Sequence, residues 1–201
     1  MDSQVIPKTF FMRQLITNLL TLCFAASVAH ALDLTPRRGV RQGNEGPPIP
    51  VIKFSDGQDH IEYQPPAGWQ AGGGGHSVTF FTPDPMSWMR LVAVDRGRAS
   101  QREATPPAKE DLQAWAAQFV PSGAQRVEFV RMIPSPFTVG THATTEFIFT
   151  CVWNGFRVSL SVTVIDFSSK ERLVMLVAAE PGNFAQVRQQ AVASMYSWSR
   201  E

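Results

Sequence analysis

The segment from Glu146 to Thr163 constrains the fold most, because two alternating patterns flank a turn-forming dipeptide. From Phe147 to Trp153, aromatic or sulfur-bearing side chains alternate with more polar ones, as expected for a strand with one buried face. Asn154-Gly155 follows, and this pair tolerates the positive φ that both central positions of a type I′ turn require. We therefore predict a β-hairpin with a two-residue turn.

A two-residue turn also fixes which residues of the two strands face each other. One face of the hairpin then carries four apolar pairs, Phe147 with Val162, Phe149 with Leu160, Cys151 with Val158, and Trp153 with Phe156. The opposite face is more polar and pairs Glu146 with Thr163, Ile148 with Ser161, Thr150 with Ser159, and Val152 with Arg157. We expect the apolar face in the core and the polar face partly covered or in solvent.

The first 31 residues have the features of a secretory signal peptide. Lys8 and Arg13 form a basic start, an apolar run covers residues 15–28, and Ala29-His30-Ala31 matches an A-x-A cleavage site. The apolar run is shorter than the ~20 residues of a membrane-spanning helix. We predict cleavage after Ala31, a periplasmic or secreted location, and no stable membrane insertion after cleavage.

The composition of the predicted mature chain limits its partners. Either Met1 or Met12 can be the start, and the signal peptide from Met1 contains two basic residues and one acidic residue. Since the whole chain has 18 basic and 17 acidic residues, the mature net charge is zero. No basic patch or charge run appears, so we expect no nucleic acid partner. Cys151 is the one cysteine of the mature chain, and its aromatic strand neighbours predict a packed rather than a reactive thiol.

The remaining patterns predict an α+β fold in one domain. We expect a flexible leader over residues 32–50, which are rich in Pro and Gly, and a single domain over residues 51–201. Strand patterns occur at residues 51–54, 60–63, 77–81, 87–94, 125–133 and 172–179, the last nearly all apolar, and helical spacing occurs at 112–119 and 184–198. Because strands and helices do not alternate regularly, we predict a mainly antiparallel sheet with a mid-chain helix and a C-terminal helix packed on it.

A run of glycines from Gly72 to Gly75 invites comparison with an anion-binding loop. A phosphate loop requires a following helix and a Lys-Ser/Thr pair, whereas the residues from Ser77 to Phe81 have a strand pattern. We therefore interpret the glycine run as a mobile hairpin tip.

No catalytic or metal-binding motif is present in the sequence. A Gly-x-Ser-x-Gly nucleophile motif is absent. The mature chain has three isolated histidines, His60, His76 and His142. Asp56, Asp59, His60 and Glu62 cluster around one turn, but without the spacing of a calcium loop, so we interpret a solvated turn. We predict no catalytic residue, no metal and no cofactor.

Six passages occur in a recognisable order along the chain. They are Ile61-Glu62-Tyr63, Pro66-Ala67-Gly68-Trp69, Phe80-Phe81 ending near Pro83-Asp84, the helix around Asp111 to Phe119, the Gly140 entry to a long hairpin, and the closing helix from Phe184 to Trp198. In this order the chain resembles the PsbP/DcrB-like family over residues 51–198. The resemblance implies an α/β/α fold with a central antiparallel sheet, export, and a binding or assembly role. No residue tied to photosystem function in that family is matched, so that role is not implied.

The sequence leaves two classes of function open. We expect an exported, non-catalytic binding or assembly accessory protein, whose partner is another exported protein or a small apolar ligand. The alternative is an exported hydrolase with an unrecognised site, in which a histidine would lie within hydrogen-bond reach of a carboxylate or serine. The predicted binding surface is the more polar face of the hairpin, at Ile148, Thr150, Val152 and Arg157.

Overall fold

The computed structural model describes residues 32–42, 47–57, 59–95, 109–167 and 171–200, which belong to one compact unit. The predicted signal peptide and its cleavage site lie outside the described residues, so both remain predictions. Within the described chain, no helix is long and apolar enough to cross a membrane.

The described strands form two sheets, and every strand pairing is antiparallel. The small sheet has the order β1 (Asp33–Arg41), β2 (Ile49–Asp56), β3 (Asp59–Tyr63) and β11 (Ser199–Arg200). The large sheet has the order β4 (Gln70–Gly74), β5 (Ser77–Phe81), β6 (Trp88–Asp95), β10 (Glu171–Ala179), β9 (Phe156–Asp166), β8 (His142–Trp153) and β7 (Gln125–Val139). Helix α1 (Lys109–Ala117) is mid-chain and α2 (Phe184–Met195) is C-terminal. The predicted α+β class with a mainly antiparallel sheet is confirmed.

The β8–β9 hairpin has the predicted register. Phe147 lies opposite Val162, and Trp153 lies opposite Phe156, next to the turn. Asn154 and Gly155 have φ values of 51° and 83°, so both turn residues occupy the left-handed region that a type I′ turn requires. Strand β10, whose sequence is nearly all apolar, lies between β6 and β9, as expected for a strand covered on both faces.

The large sheet has a hydrophobic core on each face. One face packs against the small sheet and α2, and this core includes Phe54, Tyr63, Phe80, Leu91, Met175, Ala191 and Met195. The other face packs against α1, and this core includes Leu112, Trp115, Ala116, Phe147, Phe149, Cys151 and Leu160. The large sheet is therefore the central layer, and the two helices cover opposite faces of it.

Strand β1 corrects the prediction of a flexible leader over residues 32–50 where it falls on Asp33–Arg41, whereas residues 43–46 lie outside the described residues. Leu32 and Leu34 are 1% and 0% exposed, and the Leu34 amide donates a hydrogen bond to the Gly75 carbonyl at 2.6 Å. The partners that order this segment are β2 and the β4–β5 turn, which local composition does not reveal.

The glycine run is likewise part of a strand, since Gly72 to Gly74 belong to β4 and the turn lies at Gly75-His76. A Cβ atom at Gly74 would lie 2.9 Å from Thr35 Oγ1. The absence of a side chain there lets β1 approach β4 closely.

Candidate functional site

The polar face of the β8–β9 hairpin is fully buried at one end. Glu146, Ser161 and Thr163 are each 0% exposed. Arg188 of α2 forms a bidentate ion pair with Glu146, in which Nε donates to Oε1 at 2.6 Å, and Ser161 Oγ donates to the same oxygen at 2.5 Å. The hydrogen bond to Glu146 raises the pKa of Arg188. The polar face is therefore partly covered, as expected, and its cover is complete at this end because α2 supplies a cation to Glu146.

The four residues of the predicted binding surface have unequal exposure. Ile148 is buried, with 6% of its surface exposed, whereas Thr150 and Val152 are half-buried and Arg157 is exposed. Three of the four therefore reach the surface, near the tip of the hairpin. Their role in binding remains a prediction.

Large apolar side chains are exposed at the same end of the sheet. We call Val127, Phe129, Val130 and Phe156 the distal surface, and their exposed fractions are 44%, 40%, 54% and 51%. Phe129 lies opposite Phe149, with ring centroids 5.7 Å apart, and Phe156 lies opposite Trp153. Phe156 was expected in the core on the apolar face of the hairpin, and the structure corrects this, because the apolar face is open at its end.

Strand β7 forms one of the two edges of the large sheet among the described strands, and β4 forms the other. The β7 residues from Gln125 to Arg131 are all exposed, and the pairing of β7 with β8 has three register shifts. Arg126 has a φ of 51°, which marks one of these irregular positions. Bulges and charged side chains on an edge strand discourage uncontrolled pairing with other sheets. This favours contacts through side chains over simple addition of a strand.

An open cavity of about 710 Å³ lies where the ends of the two sheets meet, and we call it the inter-sheet cavity. Its apolar lining includes Ile61, Val139, Phe167 and Trp198, and its polar lining includes Asp56, Asp59, His142 and Arg200. Arg200 forms an ion pair with Asp56. The cavity therefore combines an aromatic wall with a charged rim, and no local sequence pattern predicts it, since its residues come from four separate stretches of the chain.

The histidines do not form the arrangement that a hydrolase would require among the described residues. The rings of His142 and Phe167 form a T-shaped contact, with centroids 5.1 Å apart, and no described histidine side chain hydrogen-bonds to a carboxylate or hydroxyl group. Nor do any three His, Cys, Asp or Glu side chains in the described part of the chain form a group suited to a metal ion.

The acidic turn at Asp56 to Glu62 was expected to be solvated, but one of its carboxylates is buried. Glu62 is 3% exposed and forms an ion pair with Arg41 at 2.6 Å.

Cys151 lies in the core on the α1 side of the large sheet, as predicted. It is 3% exposed, and burial raises the pKa of its thiol. A buried thiol with a raised pKa is a poor nucleophile.

Comparisons with known proteins give matches at the level of the fold. No protein-family model and no curated protein matches the chain. A cyanobacterial PsbP from Synechocystis is similar with 12% identity over 79% of this chain and 96% of that chain, at a TM-score of 0.49. A Pseudomonas aeruginosa protein of unknown function, described as a putative regulator, has 13% identity over 80% of this chain and 94% of its own, at a TM-score of 0.44.

A third similar structure is LpqN of Mycobacterium tuberculosis, described as involved in cell envelope biogenesis. It has 9% identity over 83% of this chain and 91% of its own, at a TM-score of 0.44. At these identities the similarity concerns the fold alone. With all three TM-scores below 0.5, the comparisons assign neither a family nor a function to this chain.

Proposed function

We propose that the mature protein is an exported, non-catalytic accessory protein that docks another exported protein through the distal surface. The observation that carries this proposal is where the exposed apolar side chains lie. Seven large hydrophobic side chains are exposed among the described residues, and four of them belong to the distal surface. Clustered exposed apolar side chains of this kind are typical of interaction sites.

The surroundings of the distal surface also suit a protein partner. Arg126, Glu128 and Arg131 are exposed on β7 between its apolar residues. An apolar centre with a polar, charged rim is the usual composition of a protein interface. The mixed signs of these charges and the neutral mature chain favour a partner without a strong net charge.

The size of a specific interface indicates that the contact extends beyond four side chains. A specific complex buries roughly 1,000 Å² or more in total. Val152 and Arg157 lie at the same end of the hairpin on its other face, and Val152 is opposite Gln125 of β7. We propose that the partner contacts both faces around the edge of β7, so that the predicted residues Thr150, Val152 and Arg157 border the distal surface.

A pair of matched double variants tests the docking proposal. Val130→Lys with Phe156→Lys introduces charge into the distal surface, and we expect loss of cross-linked partner from the periplasmic fraction with an unchanged unfolding midpoint. The control is Val40→Lys with Phe81→Lys, because these residues are 56% and 54% exposed but lie outside the distal surface. The control should retain the partner.

Further variants separate the two faces and the two classes of function. Val152→Lys alone should weaken capture if the partner also contacts the polar face. Ile148→Lys is unsuitable, because Ile148 is buried and a lysine there would disturb packing. Undiminished capture by the distal-surface variant, or a hydrolytic activity lost on changing a histidine, would contradict the proposal.

A further inference from the structure

The inter-sheet cavity is separate from the distal surface and has the dimensions of a ligand site. Its volume of about 710 Å³ lies in the range of roughly 300–1,000 Å³ that is typical of small-molecule sites. Ile61 on β3 and Val139 on β7 both line it, so the two sheets share its wall. Both side chains are buried, with 3% and 1% exposed, so they form the packed floor of the cavity, and its accessible wall comes from the more exposed lining residues.

The aromatic part of the wall is held in place by further packing. Trp198 stacks on Phe167 with ring centroids 6.0 Å apart and an angle of 9° between the planes. Trp198 also packs against Phe54 and Tyr63, at centroid distances of 5.7 Å and 6.0 Å. Rings fixed in this way offer apolar contact area without a large entropy cost on binding. The wall therefore suits a ligand with an apolar or aromatic body.

The charged lining determines which polar group such a ligand carries. Asp56 and Asp59 contribute two carboxylates and Arg200 contributes one guanidinium, so with histidine neutral the lining has one net negative charge. Arg200 is paired with Asp56. Asp59 is exposed, and it takes part in none of the ion pairs formed among the described residues. The Asp59 carboxylate is therefore the charged group in the lining that can pair with a ligand.

We propose that the inter-sheet cavity binds an organic cation, a molecule with an apolar or aromatic body and one ammonium group. The body contacts the wall that includes Trp198 and Phe167, and the ammonium group lies near Asp59. An ammonium group near an aromatic face is also stabilised by the ring quadrupole. A carboxylate on the same body would face the net negative charge of the lining. This proposal is independent of docking at the distal surface.

Three probes with one body and different charges test the charge preference. Phenylbutylamine, phenylbutanol and phenylbutyrate are titrated into the exported protein by isothermal titration calorimetry. We expect the amine to bind about tenfold more tightly than the acid, with the alcohol between them. Equal affinities, tightest binding of the acid, or no binding of any probe at millimolar concentration would overturn the proposal.

Variants at the cavity locate the binding. Asp59→Asn should weaken the amine roughly threefold to fivefold and leave the alcohol unchanged, because it removes a charge but no apolar contact. Thr141→Trp, at an exposed lining position, should weaken all three probes by filling the cavity. Glu128→Gln removes an exposed carboxylate from β7, outside the cavity, and should change nothing.

The same variants also distinguish this proposal from the docking proposal. Val130→Lys with Phe156→Lys should retain amine binding. Unaltered amine affinity in Asp59→Asn would show that Asp59 is not the counter-ion and would contradict the proposal, whatever the result of partner capture.

Discussion

At the scale of single residues, burial decides the chemistry of Cys151. The thiol is 3% exposed, and burial raises its pKa, so both access and thiolate formation oppose reaction. We predict that a thiol reagent labels the native mature protein at least about tenfold more slowly than the protein in denaturant. Labelling followed by mass spectrometry measures both rates. Equal rates would place the thiol at the surface and reopen a redox role.

The ionised carboxylate of Asp84 should make the free energy of unfolding depend on pH. Its pKa is lowered because Ser87 Oγ donates a hydrogen bond to Oδ2 at 2.7 Å and the Met86 amide donates to Oδ1 at 3.0 Å. A lowered folded-state pKa stabilises the protein above the ordinary value of 3.8, and this stabilisation is lost as pH falls through the folded-state pKa.

We therefore predict that Asp84→Asn is less stable than the parent protein at neutral pH, and that the difference shrinks as pH falls below 3.8. Urea unfolding of both proteins across this range measures the free energies of unfolding. The Asp84→Gln variant should behave similarly, since it too lacks the charge. A difference that is constant with pH would rule out the ionised carboxylate as the cause.

At the scale of elements, the β8–β9 turn depends on the backbone conformation of Gly155. Its φ is 83°, and a Cβ atom there would meet nothing within 4 Å, so any cost of a side chain comes from the backbone alone. We predict that Gly155→Val lowers the free energy of unfolding by about 1–3 kcal/mol. Denaturant unfolding measures this change.

Gly182 provides the matched control for this substitution. A Cβ atom there also meets nothing within 4 Å, but Gly182 has no positive φ. Gly182→Val should therefore cost clearly less than Gly155→Val. Equal costs would mean that the left-handed backbone at Gly155 is not what the glycine provides.

Two elements show where local patterns mislead about boundaries and caps. Strand β7 was expected to end at Ile133, before a Pro-Ser-Pro connection, but it continues to Val139, with register shifts that accommodate the prolines. Asn183 occupies the N-cap of α2, as its residue type suggests, but it makes no side-chain capping hydrogen bond. Its side chain instead interacts with Asp84 in the loop before β6 and helps to lower the pKa of that carboxyl. In both cases a neighbour distant in sequence determines the local structure.

At the scale of the whole molecule, export is a prediction that the sequence makes by itself. We expect the exported protein to begin at Leu32, because Ala29-His30-Ala31 matches a signal peptidase site. Intact-mass measurement of the protein from the periplasm or medium tests this. A mass that retains Val28, or one that includes a lipid on Cys23, would contradict it.

The sequence by itself determined the hairpin, the central strand and the fold class. Alternation around Asn154-Gly155 encodes register directly, because side chains of a strand change face at every residue and the turn length sets the pairing. The apolar run of β10 required cover on both faces, and the two helices and the small sheet provide it. These are short-range properties, which a single sequence displays.

The tertiary structure alone decided which surfaces are covered. The local pattern places Glu146 on a partly solvated strand face. In the structure Arg188 of α2, 42 positions later, pairs with Glu146 and covers it. The local pattern places Phe156 in the core, but its side chain is exposed because the end of the apolar face is open. The inter-sheet cavity exists because strands distant in sequence end side by side. Burial depends on partners brought together by folding, and for that reason the candidate sites were resolved by the structure and not by the local pattern.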